Sequence, residues 1–386
     1  MKVNIPTFLL LAASLPLTAA EPPAAKPEPK PKPKIEVCFV LDTTGSMSGL
    51  IQGAKDKIWS IANEMASTKP APEIKFGLIG YRDRGDEYVT RVTPLSDDLD
   101  EVYGKLMEFK ADGGGDTPES VNQALHEAVT KMEWNADRTV LKLIFLVGDA
   151  PPRMDFQDDV KYPDVCQMAV KKDIIINTIQ CGNLAETTPF WNEIANKSEG
   201  EYAAILQDGG TVAVSTPFDE EIGKLNAALA STVIGYGDRV RQNFIESKLA
   251  RTRAAAPEAA AERAEFFQKT KAPSAASAKV ISGSDDLVAL AEEGRVDLKK
   301  MAKENLPEEL QTLSPEALEA TVNKNLAERK RLNAQMETLV QKRAAFLKEE
   351  TARKADADKV GGFDSQVKSL IKKQAAAKGI DYGTGE

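Results

Sequence analysis

The sequence predicts an α/β fold, a doubly wound and mostly parallel sheet, followed by an all-helical tail. Residues 35–41 and 141–147 are nearly continuous apolar runs, the first rich in β-branched residues, and read as strands buried on both faces. From residue 35 to 233, strand-like and helix-like segments alternate, which is the pattern of an open α/β sheet. Beyond about residue 240 the composition changes: most glycines and all three cysteines lie before it, while Ala, Glu, Lys and Arg dominate after it. A chain of 386 residues also exceeds what one ordinary core holds, so two folded regions are expected.

Residues 1–20 have the form of an export signal. Lys2 precedes an apolar segment interrupted by Pro6 and Pro16, and Thr18-Ala19-Ala20 offers small residues for cleavage before Glu21. The segment is short for a bilayer span, so the expectation is an exported chain, periplasmic or secreted, whose mature part has no transmembrane segment. Residues 21–34, EPPAAKPEPKPKPK, alternate proline with charge and predict an extended spacer.

After the strand at 35–41, residues 50–65 place Ile51, Ala54, Ile58, Ile61, Ala62 and Met65 at helical spacing. Residues 74–81 and 88–95 read as a strand pair joined by the charged turn RDRGDE, and a helix over 99–109 leads into a glycine run. A helix is predicted over 118–134, with Pro118 in its first turn, where a missing N–H costs nothing. The pattern continues with a strand at 141–147, a helix at 158–172, a strand at 174–180, a helix at 190–196 and a last strand at 202–206. A helix over 219–233, capped by Asp219, closes it. Gly235-Tyr236-Gly237 breaks the pattern, so one domain is expected over 35–237 and a helical region over 238–386.

In the tail, residues 239–253 read as a helix, and 254–278, alanine-rich with Pro257 and Pro273, as loosely ordered. Ser314-Pro315-Glu316 is a helix start, and nothing breaks that helix before about Lys354. One seven-residue stripe holds Leu318, Asn325, Leu332, Leu339 and Phe346; the alternate seam holds Val322, Arg329, Met336 and Arg343. A half-polar seam favours packing within the chain, as a hairpin, over a dimeric coiled coil. Gly361-Gly362 ends the helix, and a short basic helix follows over 363–374.

The chemistry concentrates where the first strand ends, in IEVCFVLDTTGSMS. Asp42, Thr44 and Ser46 stand two residues apart in a loop where Gly45 permits a tight turn, so three oxygen side chains converge. One carboxylate with two hydroxyls suits a hard cation such as Mg²⁺ or Mn²⁺.

This D-x-T-x-S spacing resembles the metal-ion-dependent adhesion site of von Willebrand factor type A (VWA) domains. The resemblance implies two further residues, matched by Thr117 in GGGDTPES and by Asp149 in LKLIFLVGDAPP. It implies a crevice at the strand ends flanked by Asp42 and Asp149. There Thr44 and Ser46 would be direct ligands, Thr117 direct or through water, and the aspartates charge partners. The vacant position would take an acidic side chain from a protein partner. The stretches YRDR, STPFD and LPEELQTLSPEALEA are similar to those of bacterial secreted proteins with one such domain and a helical tail.

Other classes find little support. A net charge of −9 gives no reason to expect nucleic-acid binding. No G-x-x-x-x-G-K-[ST] loop is present. The acid-Thr-Thr-Gly loop lacks the second copy that an aspartic protease needs. His126, the only histidine, sits mid-helix with no nucleophile to serve. Asp83, Asp86 and Glu87 read as a solvated turn, and Asp116 as a cap for the helix at Pro118. Cys38 reads as a reduced core residue, and Cys166 and Cys181 as lying at different heights on helix and strand, against a bridge. The expected function is therefore a divalent-cation-dependent protein-binding module without catalytic residues. The alternatives are a structural envelope protein working through its tail and a metal-dependent phosphoester hydrolase, which lacks an evident general base.

Overall fold

The computed structural model describes residues 32–210, 215–270, 285–354 and 362–382. The predicted export signal and most of the spacer lie outside these residues. So do residues 271–278 of the alanine-rich stretch.

The α/β prediction holds. Strands β1 (Lys34–Asp42), β2 (Glu73–Tyr81), β3 (Thr90–Ser96), β4 (Leu141–Gly148), β5 (Ile174–Cys181) and β6 (Tyr202–Ile205) form one sheet in the order β3-β2-β1-β4-β5-β6. All neighbours run parallel except β3, antiparallel to β2 at the edge. Because β1 connects to β2 on one side while β4 lies on its other side, the strand order reverses between β1 and β4. A crevice opens there beyond the carboxyl ends of the strands. The register sets Leu41 beside Val147 and Asp42 beside Tyr81, so the ends of β1, β2 and β4 coincide.

Side chains of β1 alternate between two cores, as the strand period requires. Val37, Phe39 and Leu41 face α1 (Ser48–Met65) and α2 (Leu99–Glu108). Cys38 and Val40 face α3 (Val121–Thr130), α4 (Tyr162–Lys171) and α5 (Thr188–Lys197). Cys166 belongs to the second core and Cys181 to the first, so the sheet separates them; all three cysteines are free and buried.

Two helices start later than predicted because tertiary contacts claim their first residues. The backbone of Glu119 pairs with the loop after β4, and Ser120 N–H donates to Arg82 O (3.2 Å), so α3 begins at Val121. The carboxylates of Asp158 and Asp159 pair with Arg84, and α4 begins at Tyr162. In α6 (Asp219–Ala230), Asp219 lies inside the first turn. Its carboxylate accepts from Thr216 N–H and Oγ1 and from Arg343, so it is no simple cap.

The tail departs most from expectation. After α7 (Arg239–Ala254), residues expected to be loose form α8 (Pro257–Thr270), with Ala260, Ala261 and Phe266 buried. Arg263 there makes a two-pronged ion pair with Asp100 of α2 (2.6 Å each). Beyond α9 (Leu287–Glu292) and the single-turn α10 (Glu308–Gln311), the long α11 (Pro315–Lys354) packs within the chain, as predicted, but across α6, α8 and α9 and not as a hairpin. Its polar seam is buried: Arg329 binds Asp286 (2.6 Å) and Thr232, and Arg343 binds Asp219 (2.8 Å).

The last helix, α12 (Phe363–Ala377), returns to the sheet. Phe363, Val367, Leu370, Ile371 and Ala375 join the core that holds Phe39 and Phe145, and Gln374 exchanges two amide hydrogen bonds with Asn177 of β5 (2.7 and 2.9 Å). The tail helices thus pack onto the region expected as a domain over 35–237, and the described residues from 32 onward make one compact unit. Among the described residues no helix is long and apolar enough to cross a membrane.

Candidate metal centre

β1 ends at Asp42, fully buried, and the next turn is drawn back onto it. Asp42 Oδ1 accepts from Thr44 N–H (2.8 Å) and Thr44 Oγ1 (2.6 Å), and Thr44 Oγ1 lies 3.3 Å from Ser46 Oγ. The acid and the two hydroxyls therefore form a line from the interior to the surface, with Ser46 exposed. Thr43 points the other way, its hydroxyl bonded to Tyr81 O (2.9 Å) and Tyr88 Oη (2.7 Å). Arg82 braces the turn from beneath, donating to Thr43 O (3.1 Å) and Lys110 O (2.8 Å).

The glycine run arches over this turn. Asp112 N–H donates to Thr43 O (3.1 Å), and Gly45 N–H to Gly113 O (3.2 Å). Gly113 and Gly114 have φ of 76° and 80°, the left-handed region that favours glycine. A Cβ on Gly114 would also stand 3.0 Å from Thr44 Cβ, so the absent side chain keeps the cleft open. Two acids of the RDRGDE turn, Asp83 and Asp86, are held in place here and are not merely solvated, whereas Glu87 is exposed. Asp86 accepts from Gly114 N–H, and buried Asp83 accepts from Ser120 Oγ (2.7 Å) and pairs with Arg153. Asp116 also pairs with Arg153 and caps no helix, contrary to expectation.

A cleft of about 400 Å³ results, lined by Thr44, Ser46, the arch through Thr117, Glu119, Asp149 and Leu184. Thr44, Ser46, Thr117 and Asp149 share this cleft, and Asp42 lies directly beneath Thr44. Asp149 follows β4 and is half-buried. Its Oδ2 accepts from Gln207 Nε2 (2.7 Å), and its carbonyl from Thr187 Oγ1 (2.7 Å).

Sequence reasoning missed two residues of the centre, Gln207 and Glu119. Gln207 follows β6 and reaches Asp149 only through the fold. Glu119 stands two residues after Thr117, but an acid just before a helix ordinarily reads as a partner for the helix dipole. In the fold it is 3% exposed, and its Oε2 has no hydrogen-bond partner.

The centre is crowded with negative charge. Burial pushes the Asp42 carboxyl up to about 7, against the hydrogen bonds from Thr44 and with the help of Asp149. Burial, then Asp42, Asp83, Asp86 and Asp149, pushes Glu119 up to about 9. Asp42 Oδ2 is buried without a partner, as is Tyr81 Oη beside it. Orphaned carboxylate oxygens beside two hydroxyls form a donor set that fits a hard divalent cation. Such an ion reverses the local electrostatics, because its charge favours the ionised acids. Among the described residues no three Asp, Glu, His or Cys side chains form a cage alone, so hydroxyls must belong to any coordination here.

Residues 36–217 match the family model of the von Willebrand factor A domain. Over that stretch the chain is similar to a VWA domain. Among curated proteins it is similar to von Willebrand factor A domain-containing protein 7 of Rattus norvegicus, 35% identical over 118 residues, which are 31% of this chain and 12% of that protein. It is also 25% identical over 164 residues to a putative ariadne-like RING finger protein of Acanthamoeba polyphaga mimivirus, covering 42% of this chain and 16% of that one. This chain spans one-sixth or less of the length of these two relatives. Among solved structures, proximal thread matrix protein 1 from the mussel byssus, with a zinc-occupied metal-ion-dependent adhesion site, aligns at 18% identity and a TM-score of 0.36. That alignment covers 46% of this chain and 43% of that one.

Proposed function

We propose that this protein is a divalent-cation-dependent protein-binding module whose VWA domain holds Mg²⁺ or Mn²⁺ through Asp42, Thr44, Ser46, Thr117 and Asp149. The observation that carries the reading is the unpartnered, buried Asp42 Oδ2 beneath the Thr44 and Ser46 hydroxyls, at the floor of a cleft shared with Thr117 and Asp149. When bound, the cation would supply Lewis acidity to which a partner's acidic side chain could bind. Thr44 and Ser46 offer hydroxyl oxygens, Asp42 and Asp149 balance the charge, and the glycine arch keeps the approach clear.

The module acts without catalysis in this reading. His126 lies on α3 and does not line the cleft. The amino-terminal pattern around Ile5 and Thr18-Ala19-Ala20 supports export, with a mature chain starting near Glu21 in the periplasm or outside the cell. Co-purification of the full mature chain with envelope extract tests the function. A partner retained in Mg²⁺ and released by EDTA is the expected outcome; a partner retained equally in both shows that the cation is not part of recognition.

A further inference from the structure

We infer that Glu119 is a third carboxylate partner of the cation, and that it tunes how far the site depends on an acid from outside. The inference rests on the cation-binding reading above.

The structural duties of Glu119 are carried by its backbone. Its N–H donates to Pro151 O (3.0 Å), and its carbonyl accepts from Arg153 N–H (2.8 Å) and Val121 N–H (2.8 Å). Its side chain has no such task. The carboxylate lines the cleft yet makes no hydrogen bond or ion pair with the described residues, and Oε2 is sealed from solvent. Leaving a buried carboxylate unpaired is costly, so a residue with only a structural role would be better apolar or amide.

The nearby protein cations make their ion pairs with other groups, although Arg153 Nε has no hydrogen-bond partner. Arg82 serves the carbonyls of Thr43 and Lys110, and Arg153 serves Asp83 and Asp116. The path from Glu119 to the hydroxyl line is open. A Cβ on Gly114 would lie 3.4 Å from Glu119 Oε1 and 3.0 Å from Thr44 Cβ, so glycine alone keeps the space between them free. The charge that belongs in this space is a positive one, and the hydroxyls opposite Glu119 complete an oxygen donor set for it.

The charge count gives the consequence. Asp42 and Asp149 alone neutralise a divalent ion, and Glu119 makes the protein's share exceed the ion's charge. A resident third carboxylate should therefore tighten the cation and weaken the pull on a partner's acid. Replacing it by the isosteric amide should move these two affinities in opposite directions. By linkage, an acid that binds the loaded site better raises the apparent cation affinity by the same factor.

The test is calorimetric titration of Mn²⁺ into the full mature chain, Glu119→Gln and Asp149→Ala, each with and without acetate as the probe carboxylate. Expected is Mn²⁺ binding weakened about tenfold or more in Glu119→Gln, with a larger enhancement by acetate than in the natural chain. Metal-free Glu119→Gln should melt no lower than the natural protein, since the substitution removes an unpaired buried charge. Equal Mn²⁺ affinity in Glu119→Gln alongside weakened binding in Asp149→Ala overturns the inference and leaves the proposed function standing. A metal-free Glu119→Gln protein that melts well below the natural one shows a structural role and also overturns it. No Mn²⁺ binding by the natural chain removes both.

Discussion

Several acids of this protein are buried beyond what their hydrogen bonds repay, and they divide by neighbourhood. Around Asp42 and Glu119 the neighbours are other acids, whereas Glu262 on α8 faces Lys57, Arg343 and Lys368. Burial still dominates at Glu262, pushing its carboxyl from 4.5 up to about 7, with Oε2 unpartnered. An acid raised in the folded state contributes stability that is fully present below the unfolded value and lost as pH rises through the folded one. Glu262→Gln should therefore gain stability relative to the natural protein between about pH 4.5 and 7 and keep that gain above it. Urea unfolding across that range checks the sign; a difference independent of pH would contradict it. At this scale the sequence was legible where the chemistry is local. Asp42, Thr44 and Ser46 lie within five positions and their spacing alone brings them together. The roles of Glu119 and Gln207 depend on strand ends meeting across the sheet, which no local pattern encodes.

Elements were legible where periodicity was strong, and all six strands fall within a few residues of expectation. Helix starts were less so, because Glu119, Ser120, Asp158 and Asp159 are taken by partners far along the chain. The helix α8 was missed because alanines with a proline resemble a linker. Yet alanine has the highest helix propensity, and Pro257 stands at the helix's first position, where proline is tolerated. The half-polar seam of α11 has its explanation in buried pairs. Arg329 is fully buried against Asp286 and Thr232. Replacing Arg329 by Ala strands Asp286 as an unpaired buried charge and should cost about 3–5 kcal/mol. Replacing both partners with apolar residues should cost much less. Chemical denaturation of the single and double variants measures this, and a near-zero effect of Arg329→Ala would show the pair to be dispensable.

For the whole molecule, the composition change near residue 240 marks a change of element type and not a boundary of the core. The apolar stripe of α12 announces an amphipathic helix but cannot say what it covers. Its partners, Phe39 and Asn177, lie far earlier in the chain. A chain ending at Gly237 loses both α8 and α12 from the face of the sheet opposite α3, α4 and α5. It should be insoluble or lack a cooperative thermal transition, whereas a sharp melt would show that residues 35–237 close their own core. The tail thereby supports the centre indirectly. Phe363 N–H donates to Gly209 O (2.8 Å), tying α12 to the loop that carries Gln207 to Asp149.

The central claim is that the line from Asp42 to Ser46, with Thr117 and Asp149, holds a divalent cation. Calorimetric titration of Mg²⁺ and Mn²⁺ into the full mature chain, beside Ser46→Ala and Asp149→Ala, tests it most directly. The account predicts binding by the natural protein and a loss of about tenfold or more in each variant, with circular dichroism unchanged. A natural chain that binds neither ion, even with acetate present, would contradict it.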